Sequence, residues 1–356
     1  MAIERRINAS QLDFDQIKSN LVAHMKATDS TFNDYNYEGS AMSTVIDVLA
    51  YITHVNSMNA NFALNETFLD TSQLRSSVVS HAKLLGYTPR SIAPSVAYVN
   101  MTMAKGVATP FWNHDGSNTP LPLSMPRGTK FSTTIDSVLY PMFNSVTQTI
   151  NYDATDGWKF SNIKLEQGTL STINYTYQNN KFESYVIPAT NVNTAAIKVT
   201  VTDSGATNAA KVYSLNKNMV TLDGTSETFF LEEGRDGYYE VKFGDNIIGK
   251  RPGNGNNIEI EYSTIAAGID INGATTFVMT DSLNGNSDET VTLVTKATGG
   301  APRETKESVK FNAPLAHISQ NRAVTPDDYK AIIKNEFADV EAVSVWGGED
   351  HDVPDY

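Results

Sequence analysis

Apolar residues recur at alternating spacings of three and four along one early stretch of the chain. Val45, Val48, Ile52, Val55, Asn59 and Phe62 form a seam of nearly two heptads, which predicts a helix from about 40 to 65. Ile46 and Leu49 widen its apolar face. Asn59 is the polar member of the seam, and polar seam residues fix register where two helices meet. Before it, Leu12, Ile17, Leu21 and Met25 recur at helical spacing behind Ser10, a helix cap. After it, residues 71–85 predict a third helix closed by Gly86, with Pro89 beyond as a stop. A seam does not name its partner. It reads equally as the core of a bundle within the chain or as a surface for a helix of another protein.

From about 91 to 300 the period shortens to two. VAYVNMTMA (96–104) alternates in a way that suits a strand covered on both faces. TKFSTTIDSVLY, SYVIPATNVN, AIKVTVTD, KVYSLNKNMVTL and ETFFLEE each read as a strand, whereas the proline-rich residues 110–128 read as a long loop. Near the end, Thr325 is a helix cap, Pro326 suits the first helical position, and Asp327 and Asp328 favour the positive helix end. Tyr329, Ile332, Ile333 and Phe337 make one apolar face of that helix, and a strand with an acidic tail is expected after it. The fold class is α+β and multidomain. An N-terminal helical bundle occupies 1–90, a central β-rich domain 91–300, and a C-terminal mixed α/β segment 301–356.

Charge and composition narrow the function. Against 27 basic residues stand 40 acidic ones, a net charge of -13. Nucleic-acid surfaces need net basic patches to release counterions, so no nucleic-acid partner is expected. With no cysteine there is no disulfide and no thiolate metal site. The charged start, MAIERRINASQLDFD, has no apolar core and does not read as a signal peptide. Nowhere do about 18 apolar residues run together, so no membrane span is expected.

The segment GDNIIGKR (244–251) imitates a phosphate-binding loop, G-x-x-x-x-G-K. That motif needs a Ser or Thr hydroxyl for magnesium, and here Arg251 and Pro252 follow the lysine. It also needs a helix next, whereas IEIEY (258–262) alternates like a strand. Tyr239, Val241 and Phe243 share one face of a strand before the loop, and Ile258, Ile260 and Tyr262 one face after it. The expectation is an antiparallel pair over a common core. No His spacing fits a metal motif, and the acidic stretch Glu349, Asp350, His351 and Asp352 reads as a solvated loop. No serine elbow is present, and no catalytic residue, cofactor, metal or small-molecule substrate is expected. Trp112, Trp158 and Trp346 could line a sugar-binding face, but aromatics in β-rich chains more often fill cores.

Three segments carry a family likeness. FGDNIIGKRPGNGNNIEIEY (243–262) resembles the F-G-D-G…G…P…G…I…Y signature of baseplate J-like proteins, the wedge subunits of contractile phage tails and related injection systems. APLAHISQNRAVTPDDYKAII (313–333) is similar to that family's R-A-V-T…D-Y segment, and MPRGTKFST (125–133) to its G-T-x-F strand. Residues 66–91 and the terminal VWGGEDHDVPDY look most like the larger wedge proteins of T-even-type phages. Carried over position by position, the motif residues are Phe243, Gly244, Asp245, Gly249, Pro252, Gly255, Tyr262, Arg322, Asp328 and Tyr329. Asn246 stands where the family has Gly, and Asn tolerates positive φ better than most residues. T-even-type wedge proteins continue past this point, so the chain reads as a fragment or a shortened relative. The resemblance implies a structural subunit without catalysis, in the virion's tail baseplate and assembled in the host cytoplasm. It would bind other wedge proteins and further copies of itself in a ring around the tail hub, and relay the rearrangement that triggers sheath contraction. A carbohydrate-binding or adhesin module of a tail fibre is the alternative. The helical first third argues against it.

Overall fold

The computed structural model describes residues 13–347 apart from 28–36, 38, 104–112, 118, 180–183, 206–208, 217–221, 235, 266–269, 287, 320–321, 338–339 and 341. The chain forms two compact units, one of residues 1–87 with 306–314 and one of residues 88–305 with 315–356.

The helical unit holds α1 (Phe14–Ala27), α2 (Ala41–Glu66), α3 (Arg75–Leu84) and the first part of α4 (Lys306–Ser319). Local chemistry sets their ends. The Asp13 carboxylate accepts the N–H groups of Asp15 (2.9 Å) and Gln16 (3.2 Å) at the start of α1, while Ser10 lies outside the described residues. Ser40 caps α2 through Ser43 N–H at 3.0 Å. Gly86, at φ 74, ends α3 as expected, and Tyr87 N–H returns to the Ala82 carbonyl at 2.9 Å.

The second unit contains two curled sheets with separate cores. One sheet has the order β14 (Val278–Met279), β3 (Lys130–Ile135), β4 (Val138–Asn144), β6 (Trp158–Gln167), β1 (Val96–Met103), β15 (Glu289–Thr298). Residues 273 and 274 bond to Ala297 and run back along β15, which closes the curl. Trp158, Phe160, Phe131, Met101 and Met103 fill it, with Leu123 and Met125 from the short pair β2 (Leu123–Met125) and β5 (Gln148–Ile150). Part of the expected long loop is therefore a strand, fixed by two buried side chains. The stretch TKFSTTIDSVLY is two strands rather than one, because Asp136 and Ser137 turn the chain at φ 49 and 65.

The other sheet has the order β7 (Thr169–Thr176), β13 (Asn257–Thr264), β9 (Val192–Thr202), β10 (Ala210–Leu215), β11 (Thr228–Glu233), β12 (Tyr239–Phe243), β8 (Tyr185–Ile187). All neighbours are antiparallel except β10 and β11. Its core takes Val199, Val201, Phe229, Tyr239, Val241, Ile258 and Ile260. This overturns the expected pairing of 239–243 with 258–262. The two strands do share one core, but β9, β10 and β11 lie between them in the sheet. Alternation fixes which face is buried and leaves the neighbour open. Every strand of this sheet is inserted between β6 and β14 of the first.

After β15 come the rest of α4 and α5 (Pro326–Glu336). Thr325 caps α5 with Pro326 at its start, as the sequence predicts, and Asp328 completes a reciprocal capping box with it. The strand expected next is not formed at 342–347, which are irregular.

Candidate assembly surfaces

The two long faces of α2 differ in character. Ser43, Ile46, Ala50, Asn61 and Asn65 are its buried residues. Apart from Ile46 they are small or polar, and their polar groups have local uses. Asn65 Nδ2 donates to the Asn61 carbonyl at 2.7 Å, and Thr71 Oγ1 to the Asn65 carbonyl at 2.6 Å. The outer face is apolar. Val45, Val48, Ile52 and Phe62 are 50%, 53%, 48% and 44% exposed, with Leu49 and Met58 exposed beside them. Asn59 is exposed and Val55 half-buried. The seam read from the sequence thus lies on the outward face, and Ile46, read as widening it, lies on the inward one.

Polar contacts hold this helix in place. Lys18 Nζ meets the Asp47 carboxylate at 2.6 Å, His81 Nε2 lies 2.9 Å from the Glu66 carbonyl, and the Glu66 carboxylate accepts Gln73 N–H at 2.7 Å. Burial pushes the Glu66 pKa up, but hydrogen bonds from Ser77, Gln73 and Leu74 outweigh it and hold the group below its ordinary value.

The second candidate surface is the loop after β12. Asp245 Oδ1 accepts Ile247 N–H (2.9 Å) and Ile248 N–H (3.0 Å), which holds its carboxyl below the usual range. Asn246 adopts φ 71, and its Oδ1 accepts Arg251 N–H at 2.8 Å. Gly244 passes so close to Gly249 that a Cβ would stand 2.1 Å from the Gly249 carbonyl oxygen. The loop is tied to its neighbour by Gly249 N–H to the Asp223 carbonyl (3.0 Å) and Lys250 N–H to the Ser226 carbonyl (2.8 Å). Lys250 Nζ is bound to Glu227 at 3.0 Å, and strand β13 follows where a phosphate loop would have a helix. Phe243 packs its ring edge-on against Tyr185 and Tyr213, with centroids 5.9 and 5.5 Å away. Pro252 and Tyr262 are buried, and Gly255 has φ 83. The motif is thus the framework of a rigid turn that leaves Ile247 and Ile248 in solvent.

The remaining candidates are scattered. Arg322 and Tyr329 are exposed near the start of α5, and Asp328 serves its cap. Trp158 is core and donates to the Leu121 carbonyl at 2.9 Å, Trp346 is exposed, and Trp112 lies outside the described residues. So does the 349–352 stretch. Among the described residues no cluster of His, Asp or Glu could hold a metal ion, and no helix is long and apolar enough to cross a membrane.

Sequence reasoning missed two arginine–carboxylate pairs. Arg127, in the turn between β2 and β3, meets Glu261 of β13 at 3.1 Å and donates to the Ala196 carbonyl at 3.1 Å. Arg303, after β15, meets Glu233 at 2.5 Å and lies over the Tyr239 ring at 5.7 Å. Each joins segments far apart in the chain, so no local pattern announces it.

Comparison with known proteins gives three likenesses. Residues 13–87 match the family model described as baseplate wedge protein gp6-like, helical domain. The chain is 27% identical over 352 residues to baseplate wedge protein gp6 of Enterobacteria phage T4, covering 92% of this chain and 50% of that protein. It therefore spans half the length of that relative. A chain in the cryo-EM structure of the anti-feeding prophage baseplate, 6-fold symmetrised, matches 94% of this chain and 66% of its own length. Identity there is 12% and the TM-score 0.33, too low to bear on the fold.

Proposed function

We infer, for a chain that belongs to the gp6-like baseplate wedge family, that it is a structural subunit of a contractile-tail baseplate wedge. Its neighbours are other wedge proteins and further copies of itself, in a ring around the tail hub. The virion's tail baseplate is its place, reached by assembly in the host cytoplasm. It acts by holding neighbours and passing on their movement.

The observation that carries this reading is the outer face of α2. A helix that, Ile46 apart, turns small and polar residues inward and an apolar row outward departs from the usual amphipathic arrangement. The row from Val45 to Phe62 spans 17 steps at about 1.5 Å each, roughly 25 Å. Burying an apolar side chain fully is worth about 1.5–3 kcal/mol, and since those of the row are already about half covered, a partner helix gains about half of that at each. Charged residues are absent from positions 48–65, which suits an apolar helix as partner. Asn59 would lie within the contact and set its register by meeting another polar group.

The test is capture of wedge partners by the chain carrying Val48→Asp and Ile52→Asp, with the β unit checked as folded by circular dichroism. Loss of capture is expected. Undiminished capture would move the partner surface elsewhere.

A further inference from the structure

The two curled sheets have no core residue in common. The chain crosses between them twice, at Gly168 and again after Thr264, and the other contacts between the sheets are mostly polar. Strand β6 ends at Gln167 and β7 begins at Thr169, so a single residue, Gly168, carries the chain from one sheet into the other. Gly168 sits at φ 124, and a Cβ there would stand 2.6 Å from the Thr264 carbonyl oxygen. The crossing can therefore hold only glycine, the residue least restricted in its backbone angles. Its N–H donates to the Pro141 carbonyl at 2.9 Å, close to the crossing.

Away from that point the sheets are clipped by charge. Arg127 reaches from the first sheet to Glu261 of the second, and Arg303 from the end of the first to Glu233 of the second. Both arginine side chains are about three-quarters covered, at 24% and 23% exposure. A neutral contact, Ser91 Oγ to Thr194 Oγ1 at 2.8 Å, lies between the segment before β1 and the second sheet. Ion pairs of this kind hold a defined geometry but contribute little net stability compared with packed apolar surface. Two bodies with private cores, two crossings side by side at Gly168 and Thr264, and charged clips make a joint.

We propose that the adjoining crossings at Gly168 and Thr264 form a pivot between the two sheets, and that Arg127–Glu261 and Arg303–Glu233 are the clips that lock it. With the clips closed the sheets move as one body. With both open, the second sheet swings about these two crossings while both cores stay folded. The inference needs only the isolated chain, so it stands or falls separately from the baseplate reading.

The absence of cysteine allows clean site-directed spin labelling. Labels at Val138→Cys and Val212→Cys, both exposed and one in each sheet, report the distance between the sheets by pulsed electron resonance. The native chain should give one narrow distance distribution. Neutralising both partners of each clip (Arg127→Met with Glu261→Gln, Arg303→Met with Glu233→Gln) leaves no buried charge stranded. This variant should broaden the distribution at least twofold in width while circular dichroism is unchanged. A distribution as narrow as the native one overturns the proposal, and so does a native distribution that is already broad. Should the fourfold variant fail to fold, the charge swap decides. With the second clip already removed by Arg303→Met and Glu233→Gln, Arg127→Glu should broaden the distribution, and adding Glu261→Arg should narrow it again. Failure of the swap to narrow it counts against the clips.

Discussion

The Tyr175 hydroxyl donates to the Val186 carbonyl at 2.6 Å, and that bond joins the two edge strands of the seven-stranded sheet. The ring of Tyr175 also packs on Tyr185, with centroids 5.2 Å apart. Replacing Tyr175 by Phe keeps the ring and removes the bond. The expected cost is about 0.5–1.5 kcal/mol in chemical denaturation. Faster amide exchange in β8 and β7 should accompany it, since each of these edge strands is paired on one side only. Unchanged exchange at Tyr185–Ile187 would mean that other contacts close the sheet.

Alkaline solution should weaken the same sheet. Burial pushes the Tyr213 pKa up to about 12, with Glu227 and Asp203 adding to the shift. A folded-state value above the unfolded one means stability that is complete below about pH 10 and lost as pH rises toward 12. Each tyrosine of this kind contributes at most about 1.4 kcal/mol per pH unit in that window. The Tyr213→Phe variant should show a shallower loss between pH 10 and 12 than the native chain. Parallel curves in urea titrations would remove Tyr213 as the cause.

At the loop after β12, the order of stability should be Gly at or above Asn, and both well above Ala, at position 246. Positive φ costs an L-residue about 1–2 kcal/mol, and Asn offsets part of that through its bond to Arg251 N–H. Alanine keeps the strain and loses the bond. At Gly224 a Cβ would stand 2.0 Å from the Asn246 carbonyl oxygen, so Gly224→Ala should disturb the loop more than any change at 246. Thermal melts of the four proteins give the ranking directly.

In the cores the expected losses follow burial. Phe229 is fully buried, and its change to Ala should cost about 3–5 kcal/mol. Phe243, half-buried at the sheet's rim, should cost less, and Glu259→Ala, on the solvent face of β13, should stay within about 0.5 kcal/mol. Equal melting temperatures for Phe229→Ala and Glu259→Ala would contradict the face assignment.

What could be read from the sequence was whatever depends on near neighbours. Ser40, Gly86 and Thr325 mark helix ends through contacts three to five residues long, and each falls where its residue type predicts. Alternation in 239–243 and 258–262 named the buried faces correctly. Which strand lies beside which depends on distant segments, and there the reading went wrong at the expected hairpin. The turn at Asp136–Ser137 lacks the glycine that usually signals a hairpin, so one strand was read where two exist. The pairs Arg127–Glu261 and Arg303–Glu233 look like ordinary surface charges until the fold brings them together.

The insertion of one sheet inside the other has a consequence for synthesis on the ribosome. The first sheet needs β15, which ends at Thr298, before β1 has its outer neighbour. The second is complete once β13 ends at Thr264. The helical unit waits longer still, for residues 306–314. The chain therefore emerges with its earliest segments unfinished and its middle ready, and acquires structure from the inside outward. Non-local pairing is slow and leaves strand edges exposed while it waits. During that interval β1 is paired with β6 on one side only, and its other edge stays open to any strand that reaches it.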